Sequence, residues 1–275
     1  MSGPSAIPEP NERVRFALRH EDAHLVVVDK PSRLVTQPGK GHERDTLVNG
    51  VMAHWGRELT NLGASRDFGL LHRLDKETSG LVIVARTPSA YDAMREAFEQ
   101  RRVEKFYYAL TNKAPNDESG VIRLPLDEQV ERTGRYTSVR TGRVVRGNSG
   151  KPALTAYRVL ARSDLGALIE ARPVTGRLHQ VRLHLDAIGA TVLGDPAYGP
   201  RAARLSSSRL ALHAHRLRFV HPATDEMTEV RSAMPKELRS LMRRLDLPVE
   251  ALHGSAGSGD PGHEAGGKTV GDEEA

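Results

Sequence analysis

The chain has 275 residues, 38% of them hydrophobic and 27% charged, enough for a sizeable core in one large domain or two small ones. It has no cysteine, which excludes disulfide frameworks, thiol nucleophiles, iron–sulfur clusters and Cys-ligated zinc, and no apolar run approaches the ~18 residues of a membrane helix. Net charge is +5 but uneven: residues 249–275 hold six acids against one base, which leaves +10 on the rest, a balance that suits a polyanionic partner or a plainly solvated surface.

Residues 1–11 include Pro4, Pro8 and Pro10, show no basic-then-apolar export pattern, and read as a flexible arm of a cytoplasmic protein. Leu25, Val26, Val27 and Val28 form a run of buried-strand length, as do residues 81–85 after the turn residues Ser79 and Gly80. Thr87 and Pro88 pair as N-cap and first helical residue, and Tyr91, Met94 and Phe98 then recur at helical spacing up to Arg101 and Arg102, cations suited to a helix C-terminus. Residues 106–110, 153–160 and 168–174 are strand-like. Leu178, Val181, Leu185 and Ile188 mark an amphipathic helix ended by Gly189. A strand over 210–220 and a helix over 235–245, with Leu238, Leu241, Met242 and Leu245 on one side, complete a body at 12–247 that shows neither linker nor repeat. Residues 248–275 are rich in glycine and poor in large apolar groups, and are expected to be disordered. The pattern predicts an α+β fold, a single domain on a mixed, mostly antiparallel sheet with flanking helices.

The densest polar cluster beside a predicted core strand is Leu71-His72-Arg73-Leu74-Asp75-Lys76-Glu77-Thr78-Ser79-Gly80-Leu81. Asp75 lies in the loop leading to that strand, where a rigid sheet can hold a reactive group. The alternative is a turn Asp capping its own loop, with Thr78 and Ser79 serving local backbone groups. On the helix from Leu178, Arg182 borders the apolar stripe and needs a counter-charge or must snorkel, and Asp75 is a candidate partner. His213 and His215 share a strand face near His179, His184 and His221, but no acid completes a metal triad at suitable spacing, so no metal is expected. Arg132, Arg135, Arg140, Arg143, Arg146 and Lys151 crowd one short stretch with Thr141-Gly142 and Gly147-Asn148, read as a hairpin or loop over a phosphate backbone or, alternatively, as a solvated loop.

Three blocks, H-R-L-D-K-E-T-S-G-L at 72–81, K-F-Y-Y-A at 105–109 and T-G-R-L-H-Q-V-R-L-H at 175–184, resemble in order and spacing the motif blocks of the RluA-type pseudouridine synthases. Weaker agreement at Val26-Val27-Val28-Asp29-Lys30-Pro31, Gly150-Lys151-Pro152-Ala153, Gly194-Asp195-Pro196-Ala197-Tyr198-Gly199, Leu212-His213-Ala214 and His221-Pro222 extends it over about 14–245. No counterpart of the S4-like module of many relatives is expected from the few residues before Val26. The resemblance implies a catalytic domain with a central RNA-binding cleft that isomerises uridine to pseudouridine in ribosomal or transfer RNA. It breaks the glycosidic C–N bond, turns the uracil and rejoins it through carbon, with no cofactor and no metal. It implies that Asp75 is the catalytic carboxylate, as nucleophile or as base toward the sugar, that Tyr107 stacks on the uracil, and that Arg182 holds Asp75. It further implies that Arg73 fills the space left by the flipped base, with Lys105, Arg177, His179 and Gln180 also toward the RNA. The expected partner is RNA alone, bound by a monomer. A catalytically silent RNA-binding protein or chaperone on the same fold is the alternative, opposed by the intact Asp75, Tyr107 and Arg182, and a hydrolase is disfavoured by the absence of a Ser–His elbow.

Overall fold

A computed structural model describes residues 7–133, 137–145, 150–205, 207–252 and 269–270. The remainder of the predicted N-terminal arm and of the acidic tail, and Arg135 and Arg146 of the basic stretch, lie outside the described residues. In chain order the elements are β1 (Ala17–Glu21), β2 (Leu25–Lys30), α1 (Leu47–Leu62), β3 (Ser79–Ala85), α2 (Pro88–Glu99), β4 (Glu104–Thr111), β5 (Ser119–Ile122), β6 (Leu126–Thr133) and β7 (Thr137–Val144). They continue with β8 (Thr155–Ser163), β9 (Gly166–Pro173), α3 (Gln180–Ala187), α4 (Arg201–Leu205), β10 (Leu212–Val220), β11 (Met227–Arg231), α5 (Lys236–Arg244) and β12 (Thr269–Val270). The fold is α+β and its strand pairs are mostly antiparallel, as the sequence pattern predicts.

Two compact units form, Met1–Glu104 with Ala214–Ala233, and Lys105–His213 with Met234–Ala275. In the first, strands run in the order β1-β2-β3-β10, with β11 on β10. β2 and β3 are buried almost throughout and pair antiparallel from Leu25 opposite Ala85 to Lys30 opposite Gly80. Gly80 has φ +120°, and a Cβ there would lie 2.2 Å from the Ala214 carbonyl oxygen, so only glycine lets β3 come this close to β10. Thr87 caps α2 by accepting from the Ala90 N–H at 3.3 Å, with Pro88 at its first turn. α1 was not expected, because Asn49, Gly50 and Gly56 weaken its helical signal. It is held by a capping box in which Thr46 and Asn49 exchange hydrogen bonds, and Asn49 Nδ2 also donates to the Glu9 carbonyl at 2.8 Å. Gly50 is needed here: a Cβ would sit 2.8 Å from Val14.

In the second unit β4, β9, β8 and β5 follow one another, with β12 parallel to β5. β6 and β7 form a separate hairpin, so the basic stretch is a β-ribbon in its described part. α3 begins at Gln180 rather than Leu178: His179 is left-handed, φ 53°, and serves as the N-cap, which puts Leu178 outside the helical wheel.

Candidate active site

In the first unit, Asp75 stands at a chain reversal that leads into β3. Leu70 bridges to Val84, His72 Nε2 accepts from the Ile83 N–H at 3.0 Å, and after the reversal the chain re-enters as β3 at Ser79. The carbonyls on either side of Asp75 are held from outside the loop. Thr36 Oγ1 donates to Leu74 O at 2.7 Å, and Ser32 Oγ donates to Glu77 O at 2.7 Å. Lys30, 0% exposed, donates from Nζ to Leu34 O at 2.7 Å, Pro31 O at 3.0 Å and Lys76 O at 3.2 Å, so its buried ammonium is matched by three carbonyl dipoles. Residues 30–36 thus clamp the loop. Thr78 contributes only its N–H, to Asp75 O at 3.1 Å, while its buried hydroxyl has no partner among the described residues. Asp75 is half-buried and Arg73 is exposed.

In the second unit, strand alternation on β4 separates Tyr107 from Tyr108. Tyr108 lies opposite Glu170, on the face where its hydroxyl donates to Leu252 O at 3.1 Å and where Arg158 pairs with Glu170 at 3.2 Å. Tyr107, opposite Ala171, therefore shares the other face with Lys105. Burial lowers the Lys105 ammonium pKa below the ordinary lysine value. Its Nζ lies 3.9 Å from where a Cβ on Gly176 would sit, beside the Thr175-Gly176-Arg177 loop. We expect Tyr107→Phe to slow product formation far more than Tyr108→Phe, measured as single-turnover rates on one RNA substrate. Equal losses would place the wrong tyrosine at the base.

Gln180, expected to face RNA, is corrected by its hydrogen bonds. It is 4% exposed, its Oε1 accepts from Thr175 Oγ1 at 2.7 Å and Arg177 N at 3.0 Å, and its Nε2 donates to Leu154 O and Thr155 Oγ1 at 2.9 Å. All four positions of the amide are used inside the protein, so it shapes the loop instead of reading a base. Arg177 Nε donates to Pro152 O at 3.2 Å, and His179 Nδ1 lies 2.7 Å from the Tyr198 hydroxyl. His184 is buried between Thr155 Oγ1 and Leu124 O, and burial lowers its pKa below the usual histidine value.

Arg182 has a buried acid beside it, Asp195. Arg182 Nε and Nη2 each donate to a separate Asp195 oxygen at 2.7 Å, with the two residues 3% and 1% exposed. The pair is a two-bonded fork. Asp195 Oδ1 also accepts from Ala197 N at 2.9 Å and Tyr198 N at 3.0 Å, so the carboxylate is held by four donors. Gly194-Asp195-Pro196 is a turn signature in which the Asp side chain turns back on the following backbone.

Among the described residues, one group could hold a metal: His20, Asp22 and His221, in the first unit. Asp22 Oδ2 lies 2.5 Å from His20 Nε2 and 3.1 Å from His221 Nε2. Its Oδ1 accepts from the His24 and Leu25 N–H groups at 2.6 and 2.8 Å. Burial raises the Asp22 pKa, but these hydrogen bonds outweigh it and hold the carboxyl well below its ordinary range. His221 Nδ1 accepts from Ala223 N and Thr224 N at 3.3 and 3.2 Å, which places its proton on Nε2, toward Asp22. The donor set fits a hydrogen-bonded corner between β1 and the end of β10 better than a metal, whose ligand lone pair that proton occupies. His213 and His215 are buried in β10.

A family model described as RNA pseudouridylate synthase matches residues 24–187. The chain is 35% identical over 244 residues to the "Ribosomal large subunit pseudouridine synthase D" of Zymomonas mobilis subsp. mobilis, across 86% of this chain and 74% of that one. It is 34% identical over 245 residues to the "Uncharacterized RNA pseudouridine synthase YlyB" of Bacillus subtilis, across 87% and 78%. Among solved structures, "Human RNA Pseudouridylate Synthase Domain Containing 4" superposes with a TM-score of 0.64 at 27% identity, across 85% of this chain and 94% of that one.

Proposed function

The chain belongs to the RluA-type RNA pseudouridylate synthase family, and from that premise we propose that it converts a specific uridine of structured RNA to pseudouridine with Asp75 as its catalytic carboxylate. The observation that carries this is the Asp75 loop. Its backbone is fixed through Thr36, Lys30 and Ser32, which holds the half-buried carboxylate at a set position, as a nucleophile or base requires. Asp75 begins glycosidic cleavage, as nucleophile or as base toward the sugar, and Tyr107 stacks on the freed uracil on the Lys105 face of β4. Arg73, exposed beside the loop, fills the space from which the base is flipped. The excess of base over acid in residues 1–248 supplies the phosphate contacts that offset unstacking.

Ribosomal RNA is the favoured substrate, because curated relatives of more than a third identity are named for the large ribosomal subunit. The test is to incubate purified protein with total RNA and map pseudouridine before and after. New pseudouridine at discrete sites of 23S-type ribosomal RNA is expected. RNA bound without any new site supports the silent RNA-binding reading, and new sites confined to transfer RNA overturn the ribosomal assignment alone. Among the described residues no helix is long and apolar enough to cross a membrane.

A further inference from the structure

The hairpin β6–β7 and Arg182 meet on one side chain, Tyr198. Its hydroxyl oxygen accepts the Gly142 N–H of β7 at 2.8 Å and lies 2.7 Å from His179 Nδ1. The phenol oxygen thus links the hairpin backbone to the His179 ring. Arg182 Cζ lies 4.8 Å from the centre of the Tyr198 ring, within cation–π range, while Asp195 grips both the guanidinium and the Tyr198 N–H.

The surroundings fix this arrangement. Gly199 has φ +75°, and a Cβ there would lie 2.0 Å from Thr191 Cγ2, so the loop that carries Tyr198 ends in a conformation only glycine fits. A Cβ on Gly142 would come within 2.7 Å of Leu183 Cδ1, so the hairpin touches α3 at a point where no side chain intervenes. Leu126, Ala153 and Leu183 form a small core beneath, with Val144 and Tyr198 packed on it. The ribbon standing on this base carries Arg132, Arg140 and Arg143 in its strands.

We propose that Tyr198 is a positioning residue with two separable parts: its hydroxyl tethers the basic hairpin for RNA capture, and its ring sets the plane of the Arg182 guanidinium. The proposal rests on the functional reading above. It assigns the hairpin to affinity and the ring to the chemical step, a division that a merely structural tyrosine would not show.

The experiment compares Tyr198→Phe and Tyr198→Leu with wild type by hydrogen exchange over β7 and by single-turnover kinetics on the RNA substrate. Tyr198→Phe keeps the ring and removes the tether. Exchange at the Gly142 amide should quicken about fivefold and KM rise by a similar factor, more than the saturated rate changes. Tyr198→Leu keeps apolar contact with the small core but removes the ring, and its saturated rate should also fall, by about tenfold. Gly142→Ala, which pushes the hairpin off Leu183, should reproduce the rise in KM without the rate loss. Unchanged exchange at Gly142 in Tyr198→Phe, or a loss of saturated rate there with KM unaltered, overturns the proposal. A wild-type protein inactive on every RNA would overturn the functional reading instead, and the exchange comparison would still decide the tether.

Discussion

Asp75→Asn abolishes pseudouridine formation while RNA affinity stays within about tenfold, or ~1.4 kcal/mol, in the result we expect. The substitution exchanges a carboxylate for an amide of nearly the same shape. The loop carbonyls at Leu74, Lys76 and Glu77 keep their donors from Thr36, Lys30 and Ser32, so the backbone clamp on the loop stays in place. What is lost is the negative oxygen, and an amide serves neither as nucleophile toward the sugar nor as base at neutral pH. Affinity is set mainly by contacts to phosphates, which this carboxylate does not make. Single-turnover conversion and filter binding on the same preparation read both quantities. Retained conversion in the pure variant would remove Asp75 from the reaction, and a far larger loss of binding would assign it to RNA positioning.

The same loop shows what the sequence could and could not reveal. The strands β2 and β3 were legible because uninterrupted Leu, Val and Ile runs of strand length match strands buried on both faces. α2 was legible because its N-cap and first-turn proline are local signals. α1 was not, since Gly50 and Gly56 argue against helix locally and the reason for Gly50, the approach of Val14, is a contact 36 positions away. The clamp on the Asp75 loop was hidden for the same cause: Lys30 and Thr36 reach carbonyls 46 and 38 residues on, which no periodicity encodes. The wheel correctly marked Arg182 as requiring an acid, because that demand comes from local burial. That Asp195 supplies one depends on a turn thirteen residues later, which local periodicity does not encode. Gln180 was misjudged toward RNA because four internal hydrogen bonds to one amide leave no trace in spacing.

Arg182 and Asp195 form the pair whose disruption should cost the most stability. Both are almost fully buried, so Arg182→Met leaves a carboxylate in low dielectric with two backbone N–H groups but no cation. Breaking such a pair from one side costs about 3–5 kcal/mol, which in a chain of this size lowers Tm by roughly 10 °C. Arg182→Lys should recover little of this, since an ammonium cannot give two parallel hydrogen bonds to the two carboxylate oxygens or lie flat on the Tyr198 ring. Arg182→Met combined with Asp195→Leu removes both charges, and because an apolar pair of similar volume tolerates burial, most of the lost Tm should return. Activity should not return with it, if Arg182 serves the proposed reaction: the double variant folds but lacks the guanidinium. Thermal melts and single-turnover rates on the three variants separate the two roles. Wild-type turnover in the refolded double variant would make Arg182 a structural residue alone, while a double variant no more stable than Arg182→Met would show that the Asp195 turn needs its carboxylate to hold Ala197 and Tyr198, charge pair or not.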